Sequence, residues 1–177
     1  MSEYDKAREE FKPKVIKVLF IAESPPPSAN VQSSRHFYRH EKIRRDDRLF
    51  VNTIKALYSS AEHLTEAQIE ESKRDWLSKF MNDGFYMIEA LRESQVHEVT
   101  KKERQQKIAI SATDLVERVK KLANADTKII LIKSNVFDIA SKPLRDAGFN
   151  VLNKGLVDYP GHFNQTAYRQ KVQDLLA

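Results

Sequence analysis

The chain contains no cysteine in 177 residues, which excludes a disulfide framework and any thiolate-held zinc or iron–sulfur centre. Its four glycines are scattered, so neither a phosphate-cradling P-loop nor a dinucleotide fingerprint is present, since both need glycines at short fixed spacings. The nucleophile elbow of a serine hydrolase is missing too, because "AESPP" lacks the flanking glycines. No apolar run approaches the roughly 20 residues that span a bilayer. The amino-terminal stretch "MSEYDKAREEFKPK" is charged and has no apolar signal core. Glycine and proline are few and no segment repeats, which argues against fibrous, disordered and solenoid classes. The expectation is one cytoplasmic, monomeric domain over residues 1–177 that needs no cofactor and meets no membrane.

What is present is an uneven distribution of positive charge. The net charge of +5 is modest, but five arginines, Lys42 and two histidines crowd between Arg35 and Arg48, against Glu41, Asp46 and Asp47. Phe37 and Tyr38 sit inside that run. Arginines interleaved with aromatics suit a surface that grips phosphates and stacks on bases, and equally a solvated charged loop. His36 and His40 stand four apart beside Glu41, a spacing a helix could turn into a metal pair. No third ligand is placed by any recognisable spacing, so no metal is expected.

Apolar and amphipathic stretches alternate. Buried strands are expected in "KVIKVLFIAE" (Lys14 to Glu23), "FYMIEAL", "TKIILIKSN" and "FNVLN". Helices are expected over Asp46 to Ser60 with Asp46 or Asp47 as cap, from Thr65 to a stop at Gly84, over Thr100 to Asn124 in two pieces broken near Ser111 and Thr113, over Val136 to Ala147, and over Asn164 to Leu176. Such alternation predicts an α/β fold, a three-layer αβα sandwich around a central, mainly parallel four-stranded sheet. Ligands of open parallel sheets bind beyond the carboxyl ends of the strands. Four edges are therefore of interest: Glu23 to Pro27, Glu89 to Glu93, Lys133 to Asn135, and the loop Asn153 to Phe163.

At the first edge Glu23 and Ser24 run into Pro25, Pro26 and Pro27, whose rings fix φ. This is either an ordinary rigid strand exit or the floor of a site. At the second, Glu89 either accepts hydrogen bonds from a base edge or pairs with a neighbour such as Arg92. At the fourth, Tyr159, His162 and Phe163 flank a Pro-Gly turn, with Asn164 placed to cap the last helix.

Taken jointly, these edges resemble the motifs of the uracil-DNA glycosylase superfamily. Ala22-Glu23-Ser24-Pro25-Pro26 stands where that family has Gly-Gln-Asp-Pro-Tyr-His, Gly-Glu-Ala-Pro-Gly or Gly-Ile-Asn-Pro-Gly. Gly84-Phe85-Tyr86-Met87-Ile88-Glu89 stands for Gly-Val-Leu-Leu-Leu-Asn, and Tyr159-Pro160-Gly161-His162-Phe163-Asn164 for His-Pro-Ser-Pro-Leu-Ser. The resemblance runs from about Val15 to the carboxyl terminus. It implies a protein that binds damaged or single-stranded DNA, flips a base and cleaves its N-glycosidic bond.

Carried over residue by residue, the resemblance gives Glu23 and Ser24 the handling of water and His162 the departing base. Pro25, Phe37 or Tyr38, Glu89 and Tyr159 would contact the base. Arg35, Arg39, Arg44, Arg45, Lys133 and Arg169 would hold phosphates, and Phe163 would wedge into the stack. The chain departs from the family at three places: Ser24 replaces a water-positioning Asp or Asn, Glu89 a uracil-reading Asn, and Tyr159 a His. An ionised Glu cannot donate to a uracil carbonyl; it suits two adjacent donors, as on guanine's pairing edge, or else it must be protonated. These departures leave open a module that kept the fold and lost the chemistry, and a small-molecule nucleosidase on the same framework. The absence of cysteine excludes the iron–sulfur branches.

Overall fold

A computed structural model of the chain describes residues 3–26, 36–41, 46–93 and 100–177. Its centre is a four-stranded, all-parallel sheet: β1 (Val18–Ala22), β2 (Phe85–Glu89), β3 (Lys128–Leu131) and β4 (Asn150–Val151), in spatial order β2-β1-β3-β4. β1 is central and uniformly apolar, with Leu19, Phe20 and Ile21 fully buried, as a strand covered on both faces must be. The register sets Ala22 beside Glu89 and Ile21 beside Leu131. The ends of β1 and β2 are thus level, and β3 continues through Ile132, whose N–H donates to the Ile21 carbonyl.

Seven α-helices flank the sheet among the described residues: α1 (Glu3–Glu9), α2 (Arg48–Leu57), α3 (Glu66–Glu71), α4 (Lys73–Asn82), α5 (Lys101–Leu122), α6 (Ser134–Asp146) and α7 (Gln165–Leu176). α5 packs on α6, and α2 packs on α7. The β1-to-β2 connection runs one way along the sheet and the β2-to-β3 connection runs back past β1. The winding therefore reverses between β1 and β3, the place where open sheets of this kind bind ligands.

Several elements differ from the expectation. The sequence between Thr65 and Gly84 forms two helices, because the Ser72 hydroxyl bonds the Gln68 carbonyl at 2.7 Å and the next residue, Lys73, turns inward to a buried carboxylate. α5 is unbroken. Ser111 and Thr113 lower helix propensity only slightly, and Ile108, Leu115 and Val119 supply a continuous buried seam. β4 has two residues, yet the pairing extends past it: the Asn153 side chain accepts from Leu131 N–H at 2.8 Å and donates to its carbonyl at 2.9 Å, as a backbone unit would. α1 lies in a stretch for which no helix is expected; it buries only Tyr4 and carries no apolar stripe. No helix among the described residues is long and apolar enough to cross a membrane.

Candidate functional site

Beyond the carboxyl ends of β1, β2 and β3 lies a cavity of about 280 Å³. All four strand-end segments contribute to its wall: Glu23 to Pro26, Glu89, Lys133, and Tyr159. His36, Phe37, Asp47 and Leu49, which follow β1 in the chain, close another side, and Arg104 enters from α5.

Two carboxylates anchor this wall. Glu89 ends β2 and is 5% exposed. Its Oε2 accepts from Arg8 Nη2 at 2.5 Å, and its Oε1 lies 3.1 Å from His36 Nε2. Burial pushes the Glu89 carboxyl up, but the Arg8 guanidinium and the His36 hydrogen bond together outweigh it and hold the group below the usual carboxylate range. Burial likewise opposes the charge on Arg8, but Glu89, together with Tyr86, Tyr38 and Asp5, outweighs it and raises the guanidinium above its usual range. Behind the pair, Arg118 donates to the carbonyls of Glu89 and Ala90 at 2.8 and 2.6 Å, fixing the strand end. Arg92, the neighbour expected to pair with Glu89, instead makes a bidentate bond to Asp114 at 3.0 and 2.8 Å.

Glu23, the second carboxylate, is paired with Lys133 across the winding reversal and accepts from Asn135 Nδ2 at 3.3 Å. Arg104 Nη1 stands 3.9 Å away. Lys133 adopts φ 83°, a left-handed conformation that a residue with a Cβ rarely accepts, at the amino terminus of α6. Lys101, Arg104, Lys133, Ser134 and Asn135 line a second depression that shares Arg104 and Lys133 with the cavity.

The loop bearing His36 is held from below. Lys73 donates to the His36 carbonyl at 3.1 Å and to Asp47 Oδ2 at 2.5 Å. Asp47 also caps α2 through Phe50 N–H, and its own N–H bonds Glu70. Of the two residues expected to cap α2, it is therefore Asp47 that does so.

The sequence-derived site residues fall into three groups. Glu23, Ser24, Pro25, Phe37, Glu89, Lys133 and Tyr159 meet in the cavity wall. Tyr38, Arg39, His162, Phe163 and Arg169 are not in it. Arg35, Arg44 and Arg45, together with Pro27, lie outside the described residues.

Tyr38 corrects the expected choice of stacking residue. It is 1% exposed, its ring packs 5.9 Å from Tyr86, and its oxygen accepts from Met87 N–H at 2.7 Å, so no ligand face is left to it. Phe37 and Tyr159 are the aromatics at the wall; Phe37 is 3% exposed with its ring against Tyr38, Phe50 and Phe80, and Tyr159 is 44% exposed. Arg39 is largely buried and bonds Glu41 at 2.7 Å. Arg169 bonds Thr166 in a separate groove with Lys55, Glu62 and His63. His162 is exposed beside Phe163, their rings 6.3 Å apart, and Phe163 is 99% exposed. His36 and His40 do not converge: one bonds Glu89 and the other Glu10.

Sequence reasoning missed Arg8, Asn135 as a partner of Glu23, Arg104 and the buried role of His36. Arg8 is 81 residues from its partner on a helix without an apolar face, and no local pattern announces it. His36 stood in plain view within the basic run, where its neighbours' charge suggested a solvated loop.

No family model, curated protein or solved structure matches this chain.

Proposed function

We propose that this chain is a DNA glycosylase-like protein of the uracil-DNA glycosylase type, a three-layer αβα domain that takes a flipped, damaged base into the cavity at its β1/β3 winding reversal. The observation that carries the proposal is that one cavity gathers the ends of all four strand-end segments, including both strand-end carboxylates and the aromatic Phe37. At about 280 Å³ it lies near the lower end of the roughly 300–1,000 Å³ typical of small-molecule sites, in keeping with a single heterocycle. Neither the prolines nor Tyr159 fills it; they form its wall, while Tyr86 is buried elsewhere.

In this account Tyr159, the part-exposed aromatic of the wall, offers a ring to the base, with Phe37 packed behind the wall. Glu23, oriented by Lys133 and Asn135, holds the attacking water beside the Ser24 hydroxyl. The water oxygen bonds to C1′ of the sugar as the C1′–N bond breaks, the proton it gives up passes to the Glu23 carboxylate, and the base leaves with the bonding electron pair. Lys133 and Arg104 place positive charge where the anionic base departs, and with Lys101 they extend a cationic surface towards DNA phosphates. Phe163, fully exposed four residues after the rim residue Tyr159 (44% exposed), is available to enter a vacated stack.

The test is excision from single- and double-stranded oligonucleotides carrying uracil, hypoxanthine and other damaged bases. Glu23→Ala should cut cleavage by about 10²–10⁴-fold while leaving DNA affinity in place. Phe163→Ala should slow duplex substrates more than single strands, without altering the fold. A second reading, a nucleic-acid-binding module without catalysis, is favoured by the internal pairing of both carboxylates with Lys133 and Arg8. Salt-dependent DNA binding with no cleavage of any base would select it. Absence of both cleavage and DNA affinity would reject both readings.

A further inference from the structure

The depression beside the cavity is lined by three cations, Lys101, Arg104 and Lys133, by the neutral polar side chains of Ser134 and Asn135, and by no acidic residue. α5 supplies Lys101 and Arg104, and the turn into α6 supplies the other three. Arg104 and Lys133 also line the base-sized cavity, so the two compartments share a wall. The depression, at about 290 Å³, matches the cavity in size.

The shared wall is held firmly. The backbone of Lys133 is bonded on both sides at its φ of 83°: its N–H donates to the Val157 carbonyl at 2.7 Å, and its carbonyl accepts from Phe137 N–H at 3.0 Å. Residues kept in such sparsely populated conformations cluster at ligand clamps. The Lys133 ammonium gives one hydrogen to Glu23 and carries two more. Asn135, 5% exposed, is tied to the same carboxylate at 3.3 Å. Arg104 brings the planar fork of donors that matches a phosphate.

We infer that the cavity and the depression together hold one free nucleoside monophosphate, its heterocycle in the first and its phosphate monoester in the second. Lys133 and Arg104 stand at the join. The inference rests on the base-binding function proposed above and extends its ligands from a base within a strand to a free nucleotide. A phosphate diester within a strand carries one negative charge, whereas a monoester near neutrality carries about −1.5 to −2. A compartment lined by three cations and no acid suits the higher charge.

Calorimetric titration of the full chain tests this with the 5′- and 3′-monophosphates of 2′-deoxyuridine and 2′-deoxyinosine, the two parent nucleosides, and inorganic phosphate. At least one monophosphate should bind about tenfold or more tighter than either its nucleoside or inorganic phosphate, because one molecule engages both compartments. Its advantage over the nucleoside should shrink as salt is raised. Lys101→Ala, at an exposed position, should cut that advantage about tenfold, the loss of one charge-assisted contact. Monophosphates that bind no tighter than the nucleosides, or no tighter than inorganic phosphate, overturn the inference, as does an advantage left intact by Lys101→Ala. Should that variant fail to fold, the ranking in the unaltered chain decides alone. Tight monophosphate binding in a chain that neither binds nor cleaves DNA would keep the nucleotide site and remove the DNA-directed function. Excision from DNA by a chain that binds monophosphates no better than nucleosides would do the reverse.

Discussion

Glu89 is surrounded by groups that all favour its charge, and that arrangement has a measurable acid signature. Its carboxyl sits below the usual range of about 4.3 because Arg8 and His36 outweigh the burial that opposes them. A carboxylate whose folded pKa is depressed contributes stability that is complete above its unfolded value and is lost as pH falls through the folded one. Glu89→Gln should remove this contribution and flatten that part of the acid limb in pH-dependent denaturation. It should also destabilise the protein near neutrality by roughly 3–5 kcal/mol at most, since the buried Arg8 loses its buried counter-ion and keeps only the more exposed Asp5. An acid limb identical to that of the unaltered chain would refute the assignment. The strand-end carboxylates themselves were legible in the sequence, because each closes an apolar run. Their partners were not: the pairing of Arg8 with Glu89 depends on how α1 docks, which no local periodicity encodes.

Among the elements, the caps and stops were legible because their chemistry is local. Thr65 with Gln68 and Thr100 with Glu103 both form reciprocal capping boxes, and Gly84 ends α4 at φ 87°. Gly84 does more than stop a helix. Its carbonyl accepts from Lys17 and Val18 N–H at 2.8 and 3.2 Å, and a Cβ there would stand 2.8 Å from the Lys17 side chain and 3.2 Å from the Val15 carbonyl oxygen. Gly148 has the same φ with nothing within 4 Å. Both alanine substitutions carry the left-handed penalty of roughly 1–2 kcal/mol, but Gly84→Ala adds a clash at the entry to β1 and should shift the urea midpoint further than Gly148→Ala. Equal shifts would mean that the close approach has no energetic weight. The break at Ser72 and the continuity of α5 were illegible for a shared reason. Each is decided by tertiary partners, the buried Asp47 for Lys73 in one case and an apolar seam in the other, which overrule weak propensities.

At the scale of the whole molecule, the order β2-β1-β3-β4 creates the crevice, and cationic side chains stand around it. Strand alternation made the parallel sheet legible, whereas the shared cationic wall of Lys101, Arg104 and Lys133 comes from two elements that meet only in the fold. If that wall grips phosphates, the double variant Lys101→Ala/Arg104→Ala should weaken DNA binding across all sequences. It should also make the plot of log affinity against log salt shallower by about 0.7–0.9 for each phosphate that is no longer neutralised. Fluorescence anisotropy over a salt series would read this, and an unchanged slope would show that this wall grips no phosphate. The sheet's order has one more consequence. β2 is an outermost strand, and its Met87 N–H already serves the phenol oxygen of Tyr38. Outermost strands with unoccupied amides invite a foreign strand to add to them. Tyr38, outside the cavity wall, therefore occupies an edge amide and denies another chain that point of cross-molecular pairing.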